Sequence, residues 1–238
     1  MTEQRTPSTS AEVVARRIER EIIAAKWPVD RNFGSASDLE ERYGVSKPTL
    51  REAVRILENR SVAVMRRGPG GGLIVIAPRA ALAEEGAALY LEYRRVSLEQ
   101  LAVVRRSLEL SCIDLAVANL DEDGIERLRS VVVDESSNGS RDTDVAPTGF
   151  HLVLADLTGN PALSLFVGII TRLMNERFES RGRRDLTSAD LHTLHRRHAE
   201  ITEAIIAGDA SLARHRMLRH LEEFESAAVA SAASRPNR

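Results

Sequence analysis

The segment Gly44-Val45-Ser46-Lys47-Pro48-Thr49-Leu50-Arg51-Glu52-Ala53 constrains the fold of this chain more than any other. Gly44 supplies a tight turn, and Ser46 can cap the helix that follows. Pro48 falls in the first turn, where its missing N–H is not needed. Leu50, Val54 and Leu57, with Ala53 beside them, recur as one apolar stripe at helical spacing. Burying that stripe turns the polar start of the helix outward, with Ser46, Lys47, Thr49 and Arg51 exposed. A first turn carrying donors and positive charge is what the second helix of a helix-turn-helix presents to the major groove of DNA.

The flanking residues extend this pattern into a module. Ser10 can cap a helix running to about Lys26, with Val13, Ile18, Ile22 and Ile23 as its inner face and Glu12 suited to the dipole in the first turn. Trp27-Pro28 stops it. Ser37 can cap a second helix over Asp38 to Tyr43, with Glu40 completing a capping box. The third helix reaches about Asn59. The period then changes: Val62 and Val64 alternate, Arg66-Arg67-Gly68-Pro69-Gly70-Gly71-Gly72 makes a turn, and Leu73 to Ile76 form a second apolar run. Two such runs around a Gly/Pro-rich turn predict a hairpin. Three helices and a hairpin give a winged helix-turn-helix over residues 10–78, behind a polar tail at 1–9 expected to be disordered.

After Pro78, taken as the domain boundary, no further strand pattern occurs. Periodicity and breakers predict helices near 79–94, 97–119, 122–135, 147–158, 160–178, 187–207 and 209–231, with Pro147 and Pro161 at helix starts. The fold class is therefore mainly α: a winged head, then an all-α helical bundle at 79–231, then a short tail at 232–238.

Composition sets outer bounds. The chain is 43% apolar and 29% charged, an ordinary globular balance. Net charge is −2, unevenly divided: residues 1–78 hold 13 Lys and Arg against 10 Asp and Glu, the remainder 20 against 25. Cys112 is the one cysteine and lies among apolar residues, which excludes a disulfide framework and reads as a buried thiol, with a redox sensor as the alternative. A reducing cytoplasm fits. Neither a signal-peptide core nor a run of about 18 apolar residues is seen, so neither secretion nor membrane association is expected.

Several features together resemble the GntR family of bacterial transcription factors, in its FadR-type branch. They are Leu39-Glu40-Glu41-Arg42-Tyr43-Gly44-Val45-Ser46, Arg51-Glu52-Ala53 and Arg66 to Gly72 in the head. In the bundle they are Arg105-x-x-Leu108-Glu109, Phe150-His151, Gly159-Asn160, His198-x-x-Ile201-x-x-Ala204-Ile205, Gly208-Asp209 and His220, in the order of that branch's helical effector domain, FCD-like. There are departures. Trp27 and Ser61 stand where the family usually has glycine, and Ser35 or Ser37 stands where it often has an arginine.

For the DNA-binding chemistry, Arg51 can bridge O6 and N7 of a guanine, worth roughly 1–3 kcal/mol of discrimination. Lys47 can serve a guanine or a phosphate, Ser46 and Thr49 offer hydroxyls, and Arg55 reaches the backbone. Arg66 and Arg67 precede a tip whose Gly68 and Gly70 allow close approach, and the narrow minor groove attracts arginine. The resemblance places Arg67 and Gly68 at that groove. The bland alternative is that Arg51 and Arg55 pair with Glu52 or Glu58 on a solvated face.

The resemblance also implies a divalent metal held in the bundle by one aspartate and three histidines. His151, His198 and His220 match the histidines; neutral imidazoles suit zinc or nickel and leave positions open for a carboxylate effector. The position matching the aspartate is Pro147, which cannot ligate, so Asp144 or Asp142 supplies an oxygen only if the loop folds back. The alternative is that the three are polar core or surface histidines. Arg105 faces the same cavity and pairs with an effector carboxylate, or else pairs with Glu109. His192 and His195 share a helix with His198 but read as a solvated stripe, and Asn160 reads as a helix cap.

Together these features imply a homodimeric transcriptional regulator, in the sense of a repressor, reading an inverted-repeat operator in double-stranded DNA under control of a small-molecule effector. Two alternatives are a metal-dependent enzyme using the three histidines, against which stands the absence of a His-Glu-x-x-His pattern, and a head that binds protein instead of DNA.

Overall fold

The computed structural model describes residues 10–138, 149–180 and 188–233. The chain divides into two compact units, Met1–Ala83 and Glu84–Arg238. The first contains α1 (Ser10–Ala24), α2 (Ala36–Tyr43), α3 (Lys47–Asn59), β1 (Ala63–Arg66) and β2 (Gly72–Val75). The strands pair antiparallel, Ala63 opposite Val75 through Arg66 opposite Gly72. This is the winged helix-turn-helix order.

Two local expectations need correction. The inner face of α1 is Ala11, Val14, Ala15, Ile18 and Ile22, whereas Val13 and Ile23 are 49% and 55% exposed. The small residues Ala11 and Ala15 sit in the buried stripe, where they let α1 approach α3 closely. Likewise α2 is capped by Ser35, not Ser37. Ser35 Oγ accepts from the Asp38 N–H at 3.2 Å, and Asp38 Oδ2 accepts from the Ser35 N–H at 2.9 Å. Two overlapping Ser-x-x-acid pairs compete here, and the upstream one closes the box. The hydroxyl of Ser37 lies 2.9 Å from that of Ser35.

The expected stripe of α3 is buried as read: Leu50, Ala53, Val54 and Leu57 join Leu39, Val62, Leu73 and Val75 in one core. Gly44 ends α2 in the left-handed conformation, φ 63°. The two residues that depart from the family glycine also have positive φ, Trp27 at 51° and Ser61 at 53°. Glycine is therefore usual there for a backbone reason, and this chain holds side chains in a strained region. Trp27 gains something in exchange, since its indole N–H donates to the Ile76 carbonyl at 2.8 Å.

The hairpin is fastened near its turn from two directions. The Asn32 side chain donates to the carbonyls of Gly70 and Gly71 at 3.2 and 3.0 Å. A Cβ on Gly72 would stand 2.4 Å from Asn32 Oδ1, so only glycine fits beside that clip. At the other strand, Glu58 of α3 accepts from the Met65 N–H at 3.1 Å.

The second unit holds only helices among its described residues. They are α4 (Ala80–Tyr93, starting within the first unit), α5 (Leu98–Asn119), α6 (Glu122–Asn138), α7 (Gly149–Asp156), α8 (Pro161–Ser180), α9 (Ser188–Ile206) and α10 (Ala210–Ala233). Ser97 and Gln100 form a capping box on α5, and Asn160 Oδ1 accepts from the Ala162 N–H at the start of α8. Helix α5 packs against α7, α8 and α10. The main core includes Ile113, Leu128, Phe150, Leu154, Ile201 and Met217, and Cys112 is buried among them. Helix α6 runs three residues further than expected and α7 begins at Gly149. Pro147, Asp142, Asp144 and both terminal tails lie outside the described residues.

Candidate functional site

The polar start of α3 is one candidate surface. Ser46 is the N-cap residue, with extended φ and ψ, but its hydroxyl lies 3.0 Å from that of Thr49 instead of bonding the backbone. Lys47, Arg51 and Arg55 are exposed, and Thr49 is half-buried. Arg55 Nη1 sits 3.5 Å from Glu52, both side chains well exposed, so this pair contributes little. Lys47, Arg51, Arg66 and Arg67 have no ion-pair partner among the described residues. Glu58, the other carboxylate that could neutralise α3, is engaged with the wing backbone. At the wing tip Gly68 and Gly70 are exposed with φ of 97° and 74°. The tip therefore offers bare backbone flanked by two solvated guanidinium groups.

The second candidate is buried in the helical unit. His151 of α7, His198 of α9 and His220 of α10 converge, with one ring nitrogen of each within 4.8 Å of the others. His220 Nε2 lies 3.4 Å from Nε2 of both His198 and His151. Three sequence-distant histidines thus meet in the interior, and the surface reading of them fails. Phe150 stacks on the His198 ring at 4.4 Å. His192 is exposed and His195 half-buried, and neither belongs to the cluster.

Charged side chains surround the rings. Arg105 of α5 is buried, and its Nε donates to Glu109 Oε1 at 2.6 Å while Nη2 lies 2.8 Å from His151 Nε2. Both readings of Arg105 therefore hold: it pairs with Glu109 and it faces the histidines. Glu109 Oε2 is 2.7 Å from His151 Nδ1; the contact is out of line for a full hydrogen bond, and neither atom has another partner. On α6, Glu135 Oε2 is 2.6 Å from His198 Nδ1, and Oε1 accepts from the Phe150 N–H at 3.0 Å. Sequence reading missed Glu135. It belongs to no motif and lies 63 residues from its histidine, so nothing local signals it.

Burial alone would raise the Glu109 carboxyl, but Arg105 and His151 override it and hold it at about 2. Glu135 is likewise lowered against its burial, chiefly by His198. Burial pushes His151 down to about 4, with Arg105 acting in the same direction and Glu109 against it. Burial and the neighbouring histidines push His220 well below its ordinary value. At neutral pH, His151 and His220 are therefore neutral, the form that ligates a metal.

The donor set fits a divalent ion of the zinc or nickel type. An arginine can only donate, so His151 Nε2 is the lone-pair nitrogen of its neutral ring. That lone pair meets Arg105, with Nε2 of His220 3.4 Å away, and three ring nitrogens this close in a buried site suit a cation once the guanidinium withdraws.

The fold is that of a DNA-binding regulator: a winged helix-turn-helix head followed by an all-helical domain whose interior holds the histidine cluster. Residues 10–73 match the bacterial regulatory proteins of the gntR family and residues 100–223 match the FCD domain, and the chain belongs to that family of transcriptional regulators. It is 28% identical over 198 residues to the HTH-type transcriptional regulator LutR of Bacillus subtilis, covering 80% of this chain and 88% of that protein. It is 26% identical to the Uxu operon regulator of Haemophilus influenzae, covering 89% and 79%. Among solved structures, a GntR protein of Streptococcus agalactiae superposes with a TM-score of 0.60 at 21% identity, covering 90% of this chain and 98% of that one, which supports the fold. The metal-dependent-enzyme alternative finds no support in these comparisons. No helix among the described residues is long and apolar enough to cross a membrane.

Proposed function

We propose that this chain is a cytoplasmic, homodimeric repressor that binds an inverted-repeat operator and releases it when a small carboxylate or acyl metabolite enters the helical domain. In this reading, residues 10–78 are the DNA-binding head and residues 79–231 the effector-binding and dimerisation domain. The observation that carries it is the state of Arg51: exposed on the outer side of α3, one turn beyond Lys47, with no internal ion pair among the described residues. A guanidinium on a buried-stripe helix with no protein partner is positioned for a base edge. Lys47, Ser46, Thr49 and Arg55 flank it for phosphates, and Arg66, Arg67, Gly68 and Gly70 meet the minor groove. Two-fold symmetry of the protein imposes a palindrome on the site. Arg51→Ala is expected to abolish specific operator retention in a gel shift while leaving the circular dichroism spectrum unchanged; retained discrimination between operator and scrambled duplex would overturn the assignment.

The ligand half of the reading rests on the buried cluster. His151, His198 and His220 hold the metal, and Asp144 is the candidate for a further oxygen. When bound, the metal supplies a Lewis-acidic anchor for a carboxylate. Arg105 supplies a second positive group beside the same cluster, its guanidinium held in place by Glu109. Thr202, one turn beyond His198 on α9, has a buried hydroxyl with no partner among the described residues, as expected where a polar ligand enters. Binding regulates only if the effector favours one arrangement of the two heads over the other. Native mass spectrometry of the purified protein tests this half: a bound divalent ion with a small acid supports it, and a protein that takes up neither from excess overturns it.

A further inference from the structure

We infer that Glu109 and Glu135 are positioning residues for the histidine cluster, each holding one imidazole at Nδ1 and so committing its Nε2 to the common centre. The inference rests on the metal-site reading above for its use, but not for its geometry. A neutral imidazole carries its one proton on either nitrogen, and only the bare nitrogen can ligate. A ring free to choose spends part of its time with the wrong nitrogen inward. An ionised carboxylate only accepts, so it fixes the proton on the nitrogen facing it.

Glu135 meets that requirement with a full hydrogen bond, and Glu109 meets it by a close charged contact. Glu135 lies 2.6 Å from His198 Nδ1, with His198 fully buried and the Glu135 side chain 6% exposed. Its second oxygen accepts from the backbone N–H of Phe150, the residue before His151 and the one whose ring stacks on His198. One α6 side chain therefore fixes the ring of α9 and the start of α7 together. Glu109 lies 2.7 Å from His151 Nδ1, and the opposite nitrogen of that ring faces the guanidinium of Arg105, which forces the same tautomer from the other side. His220 has no carboxylate at hydrogen-bond distance among the described residues. The cluster is thus two clamped rings and one adaptable ring. The two clamps also place negative charge around a site whose matching aspartate position is Pro147.

Nitrogen-15 spectra of the histidine rings in the metal-free, full-length protein at neutral pH test this directly. The expected result is Nδ1–H for both His151 and His198. An Nε2–H or an even mixture at either ring overturns the inference, with no variant needed. Glu135→Gln is the second arm. The amide oxygen keeps the Phe150 bond, which turns the amide N–H toward His198 and inverts its tautomer to Nε2–H. Zinc affinity, followed by competition with a chromogenic chelator, then falls by about 10–100-fold, while the thermal midpoint of the metal-free protein changes little. An unchanged tautomer and affinity overturn the role of Glu135. If wild-type protein binds no zinc, the metal reading fails by itself, and the ring spectra still decide whether the two carboxylates orient the histidines.

Discussion

Arg105 Nη2 lies 2.8 Å from His151 Nε2, so a guanidinium stands at the lone pair that a metal ion needs. The two cannot use that lone pair at once. Arg105 is tethered by Glu109 through its Nε, so it has only a short way to move.

A consequence follows for Arg105→Gln. Removing a cation next to the site raises zinc or nickel affinity by about tenfold, equivalent to roughly 1.4 kcal/mol. It also weakens binding of a small carboxylate such as lactate or citrate. Isothermal titration with metal alone, and then with the acid, separates the effects. A loss of metal affinity with the fold intact would show that Arg105 supports the cluster instead of competing with it.

Acid lowers the stability of the metal-free helical domain in a defined window. His151 has an ordinary pKa near 6.5 and is held at about 4 in the fold. Between those values the unfolded chain binds a proton that the native state refuses. Stability is therefore complete above about pH 6.5 and declines as pH falls toward 4, by on the order of 1–3 kcal/mol. Glu109, held at about 2, adds a second loss below about pH 4.5. Urea midpoints at pH 7, 5.5 and 4.5 measure the slope, and His151→Gln flattens the first part of it. A midpoint independent of pH across that range would contradict the buried neutral state of His151.

On the proposed reading, Arg51 and Arg55 are expected to carry different kinds of binding. Arg51→Ala costs about 1–3 kcal/mol and relaxes base preference at one position of each half-site. Arg55, one turn further on and leaning on Glu52 at 3.5 Å, is expected to serve the phosphates. Arg55→Ala weakens binding evenly across sequences and reduces the salt slope by about one. Fluorescence anisotropy on a set of singly mutated operators at two salt concentrations resolves the two. Equal loss of sequence preference in both variants would reverse the assignment.

Ser61 is buried at φ 53°, in a conformation that costs a side-chain-bearing residue on the order of 1 kcal/mol. Ser61→Gly relieves that strain at the junction of α3 and the wing. Part of the gain is offset by the greater freedom of glycine in the unfolded chain. The head is expected to gain up to about 1 kcal/mol in a denaturant melt. Destabilisation would mean that the Ser61 hydroxyl does more than the backbone geometry suggests.

Most of the architecture was legible because it is written in local periods. The stripe Leu50–Val54–Leu57 and the two runs around the glycine-rich turn lie within a few residues of their partners. The three histidines could be placed by their spacing in a resembling family. Caps were legible only to the element: Ser35 and Ser37 both offer a capping pair, and the helix starts at the upstream one. Val13 and Ile23 look like core residues by type, yet α3 is met by the alanine side of α1. Glu135 was invisible, since a carboxylate on an amphipathic helix reads as solvent-facing until α9 is laid against α6.

The bond from Glu58 to the Met65 N–H, with the Asn32 clip on the turn glycines, ties α3 and the wing to one another within the head. A displacement of α3 draws the wing along with it. Control over DNA must therefore be exerted on the head as an indivisible object, by moving it or by holding it still.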